Sequence, residues 1–304
     1  MARLPRPDDA EPARFYSTRE VAALLRMTDR TVYELVRERQ IPSVRVAGKW
    51  LFPRALLERW LDENTDASSL AARAGRTPPV LAGSHDPLLE WAVRESGCGL
   101  ALLCDGSEDG VRRVAAREAT VAVLHLIDDD GDYNRTAFDG LRQRGAMVLV
   151  EWARRRQGLV VAPGNPLGLV GLARAATVHA RLVARQPGSG SRRLLERLAA
   201  REGVPLGPLL DGAATARSES EVAEAVVAGS ADWGLAIESA ARRHRLDFVP
   251  LHDERVDLLV RRFDWFEPPM QALLQFCLGD AFRARAAALP GYDVAGLGRI
   301  VRNG

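Results

Sequence analysis

Four serines stand where a strand-like apolar run gives way to a helix-like one. Ser84 follows Val80–Gly83, Ser107 follows Gly99–Leu103, and Ser189 and Ser191 precede Arg193–Glu202. A helix start carries unpaired backbone N–H groups and the positive end of the helix dipole, so it attracts anions. Hydroxyls and N–H groups together can hold a tetrahedral dianion without a countercharge. Gly188 and Gly190 let the backbone approach such a ligand closely. For any one of these serines, a plain N-cap is the commoner role. Arg192 is placed to pair with the ligand or with a carboxylate of the protein.

His85, Asp86 and His125 are the residues nearest to a catalytic set. No Ser-His-Asp spacing is recognisable among them, and they read as pocket lining, so no catalytic residue is assigned. The three cysteines, Cys98, Cys104 and Cys277, form no CxxC pair. Neither a zinc site nor a disulfide framework is expected, and no metal or cofactor is assigned.

These side chains must be positioned by two kinds of structure. From Val80 onward, short apolar strands alternate with amphipathic helices, the pattern of an α/β domain. Expected strands include Val80–Gly83, Gly99–Leu103, Ala119–Leu126, Met147–Trp152 and Gln157–Val161. Ahead of them, Ser17 and Glu20 fit a capping box opening a helix that ends near Met27. Thr28 or Asp29 caps a second helix, Arg30 to Arg39, which Ile41-Pro42 stops. Val44–Val46 and Trp50–Phe52 read as a hairpin with a basic tip, and Pro53 suits the start of a third helix.

The expected layout is a loose tail over 1–13, a helical module over 14–61, a linker over 62–79 with a short helix in its middle, and a body over 80–304. The chain has 304 residues, 42 Lys+Arg and 40 Asp+Glu, a net charge of +2. That balance argues against a uniformly basic nucleic-acid protein. It conceals a net +5 over Arg14–Leu61, against −2 over the residues after 61. No secretory leader and no run of about 18 apolar residues is visible, so a cytoplasmic protein with no membrane partner is expected.

Residues Tyr16–Ala22, Thr31–Leu35, Ile41-Pro42 and Val44–Phe52 resemble the excisionase/MerR-type winged helix-turn-helix family over about 45 residues. The resemblance implies that the second helix enters the major groove of double-stranded DNA. Arg30, Thr31 and Tyr33 would then face bases, and Arg37, Arg45 and Lys49 would neutralise phosphates.

The body is similar to the type II periplasmic-binding-protein fold, as found fused behind excisionase-type modules in bacterial one-component regulators. The residues that carry this are Tyr133-Asn134, Arg156–Leu159, Pro163–Pro166, Arg185–Arg192, Gly229–Gly234 and Leu246–Leu251. The fold class expected is therefore α/β, a winged helix-turn-helix plus a two-lobed substrate-binding-like domain. The resemblance implies a ligand of the molybdate or tungstate class between the lobes. The expected ligand set is Ser84, His85, Ser107, Tyr133, Ser189, Gly190, Ser191, Arg192 and Thr215. The stretch Thr215–Ser218 lacks the Thr-His pair of the family pattern, and a dedicated Arg192 would favour phosphate, carboxylate or a nucleotide over molybdate.

The function expected is a non-enzymatic transcriptional regulator that senses a small oxyanion and binds DNA as a homodimer. An enzyme of metal-cofactor metabolism and an architectural excisionase-like protein are the alternatives.

Overall fold

The computed structural model describes residues 15–54, 56–57, 60–61, 77–142 and 145–304. The expected tail and most of the expected linker, with its short helix, lie outside the described residues. The chain divides into two compact units, Met1–Arg76 and Thr77–Gly304.

In the first unit, β1 (Phe15–Ser17) leads into α1 (Thr18–Leu24), and α2 spans Asp29–Arg37. Ser17 caps α1 through the Glu20 N–H, while Glu20 reaches back to the Ser17 N–H at 2.7 Å. Thr28, not Asp29, caps α2 by accepting from the Thr31 N–H. Strands β2 (Val44–Val46) and β3 (Lys49–Pro53) form the hairpin, and β1 pairs with β3. Ala47 and Gly48 both take positive φ, +48° and +81°, the geometry of a type I′ turn. Val21, Val32, Val36, Phe52 and Leu57 close a small core beneath the two helices.

The second unit is built on a ten-stranded sheet in the order β5-β4-β6-β11-β7-β10-β8-β9, with β12 and β13 also paired to β7. Lobe I holds β4 (Val80–Gly83), β5 (Ala101–Leu103) and β6 (Val121–Leu124), with α3 (Pro87–Ser96), α4 (Ser107–Ala115) and α5 (Arg135–Arg142). Lobe II holds α6 (Leu172–Thr177), β8 (Leu182–Arg185), α7 (Gly190–Glu202), α8 (Leu206–Leu210), β9 (Ala214–Ala216), α9 (Glu219–Val227), β10 (Trp233–Ile237) and α10 (Glu238–Arg243). The chain then returns to lobe I through α11 (Arg262–Trp265), α12 (Pro268–Cys277), α13 (Asp280–Ala287), β12 (Tyr292–Asp293) and β13 (Ile300–Asn303).

Two 15-residue strands join the lobes: β7 (Met147–Val161) and β11 (Asp247–Arg261), paired antiparallel along nearly their whole length. The two strands expected over 147–152 and 157–161 are thus one. Their ends are apolar and fill the cores of the two lobes, while the middle of β7 carries Arg154-Arg155-Arg156. In the ladder Arg155 stands opposite Glu254 and Arg156 opposite Asp253, while Arg154, opposite Arg255, pairs with Glu151 at 3.3 Å. Of the thiols, Cys98 and Cys277 are buried, Cys104 is half-buried, and all three are free.

Candidate functional site

On α2, Arg30, Tyr33 and Arg37 follow one another at spacings of three and four, which places them on one helix face. All three are exposed; Tyr33 shows 51% of its surface. Arg30 Nε lies 3.2 Å from Glu34 Oε1. Thr31 is less available: its hydroxyl lies 2.9 Å from that of Thr28, at the cap. The hairpin holds Arg45 and Lys49, both exposed, and the Arg45 guanidinium lies 5.6 Å from the Trp50 ring centroid.

In the second unit, charged groups are buried where the hinge strands meet the cleft. Arg155 is fully buried between two carboxylates: its Nη1 lies 2.8 Å from Asp86 Oδ2, and its Nε donates to Glu254 Oε1 at 2.8 Å. Asp86 also caps α3, accepting from the Leu89 N–H, and receives Trp152 Nε1–H at 3.2 Å and the Tyr292 hydroxyl at 2.8 Å. Glu254 Oε2 meets His125 Nδ1 at 2.7 Å. Burial opposes the charge of Glu254, but Arg155 and His125 outweigh it and hold the carboxyl down at about 2. Burial likewise drives the Tyr292 hydroxyl well above its ordinary value, with Asp86 adding to the effect.

All four serines stand near the contact between the lobes. Ser84 and Ser107 hydroxyls pair at 2.6 Å, and Ser107 Oγ also accepts the His125 N–H. Ser189 Oγ caps α7 at the Arg192 N–H and donates to the Gln186 carbonyl. Ser191 donates to Glu219 at 2.8 Å and accepts from Gln157 Nε2. The starts of α4 and α7 touch: the Glu108 N–H donates to the Gly188 carbonyl at 3.2 Å. Gly190 lies against His125 so closely that an added Cβ would sit 2.6 Å from the ring and from the His125 carbonyl oxygen.

Beside this cluster a cavity of about 810 Å³ opens between the lobes. His85 and Glu219 connect it to the serines. His85 Nε2 lies 2.8 Å from Glu90, while its Nδ1 has no hydrogen-bond partner among the described residues. Glu219 is tied down by Arg185 at 2.7 Å, by Ser191 and by the Ile237 N–H. Ser239 also lines the cavity; it is 5% exposed, and its hydroxyl has no partner among the described residues.

The other expected ligand residues fall elsewhere. Tyr133 is buried in the lobe II core with its hydroxyl 2.8 Å from His252 Nε2. Arg192 runs along its own helix to Glu196 at 2.8 Å. Thr215 is exposed on β9, the last strand of the sheet. From that region Ser218 and Ser220, at the start of α9, reach the cavity instead. The residues that sequence reasoning missed are Arg155, Glu254, Glu219 and Ser239. A triplet of arginines inside an apolar strand pattern was the visible signal for the first; Ser239, in an ordinary Glu-Ser-Ala-Ala helix start, had none. No group of three or more metal-ligating side chains occurs among the described residues, and no described helix is long and apolar enough to cross a membrane.

Comparison with known proteins accords with this division. A helix-turn-helix domain family matches residues 15–65, and a PBP superfamily domain matches residues 89–278. Neither is an enzyme family. The uncharacterized protein YvgK of Bacillus subtilis (strain 168) is 25% identical over 94% of this chain and 97% of its own length. An uncharacterized Clostridium pasteurianum protein, from the region 5′ of a ferredoxin 2Fe-2S gene, is 31% identical over 28% of this chain and 75% of its own. Among solved structures, a phosphate-bound substrate-binding protein from Clostridium perfringens superposes with a TM-score of 0.50 at 12% identity, covering 68% of this chain and 96% of that one; this likeness shows the fold. The chain belongs to the PBP superfamily, with an excisionase-like helix-turn-helix domain fused ahead of its periplasmic-binding-protein-like body.

Proposed function

We propose that this protein is a one-component transcriptional regulator: its first unit binds double-stranded DNA, and its second senses a small anion between the lobes. The observation that carries the sensing half is the convergence of Ser84, Ser107 and the starts of α4 and α7 across the cleft. With the lobes in contact, the Ser84 and Ser107 hydroxyls bond to each other and the Glu108 N–H donates to the Gly188 carbonyl. An oxyanion of the molybdate or tungstate class would take over these donors, exchanging the Ser84–Ser107 bond for charge-assisted ones of about twice the strength. Binding then changes DNA affinity to the extent that lobe closure selects between two dimer geometries that bind DNA differently. Palindromic half-sites call for a homodimer, and such a regulator works in the cytoplasm.

The His85–Glu90 pair on the cavity wall is the arrangement that an enzyme's general base would also use. Its Nδ1 meets no hydroxyl or thiol side chain of the described residues, and we read the pair as orienting a ligand.

The test is calorimetry of the full chain against molybdate, tungstate, sulfate and phosphate, paired with a gel shift at fixed salt. Heat from at least one oxyanion, with a matching change in DNA affinity, is expected. Silence from all four removes the oxyanion from the proposal.

A further inference from the structure

We infer that the cavity beside the serine cluster is a subsite for a hydroxylated organic acid: a carboxylate on a small apolar body that also carries a hydroxyl. This rests on the sensor reading above and names a second class of ligand for the same cleft.

Size comes first. A cavity of about 810 Å³ lies within the ~300–1,000 Å³ that organic ligands occupy, and a single four-oxygen ion leaves most of it unfilled. The walls come next. Pro87, Trp91, Leu289 and Pro290 from lobe I and Ile237 and Ala240 from lobe II make apolar surface that an inorganic ion would leave wet.

The polar groups set the orientation. Ser239 is buried, lines the cavity and holds a hydroxyl with no partner among the described residues, and a buried donor left unpaired is costly. Close to it, Ser218 caps the nine-residue α9, and Ser218 and Ser220 line the same space. Glu219 does not repel an anion there, since Arg185 cancels its charge. Arg94, Arg242, Arg243 and Arg285 add positive charge around the cavity, and neither Arg243 nor Arg285 makes an ion pair among the described residues. The carboxylate therefore belongs at Ser239.

His85 supplies the complementary end. Glu90 can only accept, so Nε2 carries the proton and Nδ1 is left as an acceptor in the neutral ring. A ligand hydroxyl satisfies it. Because His85 is in lobe I and Ser239 in lobe II, a ligand held by both favours closure, as regulation requires.

The experiment is calorimetry of the full chain with 4-hydroxybenzoate, mandelate, benzoate and 4-hydroxybenzyl alcohol, beside molybdate and phosphate. We expect a hydroxy acid to bind at least tenfold more tightly than benzoate, and the alcohol to give no heat. Ser239→Ala should weaken hydroxy-acid binding about tenfold without lowering the Tm of the ligand-free protein, because the lost hydroxyl had no partner. Heat from molybdate or phosphate with none from the acids overturns this subsite and leaves the oxyanion sensor standing. Silence from every anion overturns both. Hydroxy-acid affinity that Ser239→Ala leaves unchanged overturns the assignment to this cavity.

Discussion

Arg155 Nε donates to Glu254 Oε1 at 2.8 Å, and both residues come from the middle of the strands that cross between the lobes, where neither meets solvent. A buried pair of this kind adds little relative to apolar residues, but breaking it leaves an uncompensated charge. Glu254 titrates at about 2 in the fold against an ordinary 4.5. A depressed carboxylate contributes stability that is fully present above pH 4.5 and is lost as pH falls toward 2, about 3 kcal/mol in all. Glu254→Gln should therefore cost about 3–5 kcal/mol in urea unfolding at pH 7 and flatten the pH dependence between 4.5 and 2. A variant as acid-sensitive as the parent would show that Glu254 is not the group responsible.

That pair also marks the limit of what the sequence made legible. The capping box of Ser17 and Glu20, the hairpin of Val44–Phe52 and the strand Val80–Gly83 are local, and their residues stand within a few positions of each other. The serines at helix starts were legible for the same reason. What was not legible is nonlocal. Arg155 reads as a strand-breaking charge until Asp86, 69 residues away, and Glu254, 99 residues away, are brought to it. Ser84 and Ser107 were each visible as cap or ligand, but not as partners of one another. Tyr133 and Thr215 rest on the family resemblance alone, and local sequence says nothing of the His252 contact that occupies Tyr133.

Closure of the lobes depends on one residue having no side chain. Gly190 packs on the His125 ring and carbonyl, and a Cβ there would lie 2.6 Å from both, a distance that real contacts do not tolerate. The carbonyl is backbone of lobe I, so the strain in Gly190→Ala is relieved by moving the lobes apart rather than by rotating a side chain. The fold of each lobe is left intact, since Gly190 is buried at the start of α7 and the nearest atoms that a Cβ there would meet all belong to His125 of lobe I. Small-angle scattering should show a larger radius of gyration, and calorimetry an affinity for the cleft ligand reduced at least tenfold. An unchanged scattering profile with unchanged affinity would mean that the ligand-bound form does not use this contact.

On α2, the helix proposed to face DNA, Arg30 and Arg37 have the same charge but different prospects. Arg30 sits in the first turn of α2, where a recognition helix presents its side chains to base edges, and its exposed partner Glu34 contributes little to holding it. Arg37 lies two turns later, in the last turn, where the contact available is a phosphate. Arg30→Ala should weaken operator binding by about 1–3 kcal/mol and relax sequence preference at one position. Arg37→Ala should weaken binding to all sequences alike and lower the slope of log K against log salt by about 1. Gel shifts over a salt series, with operator and with scrambled duplex, separate the two. Identical behaviour of the two variants would mean that α2 lies along the backbone rather than in the groove, and unchanged affinity in Arg30→Ala would remove that residue from the interface.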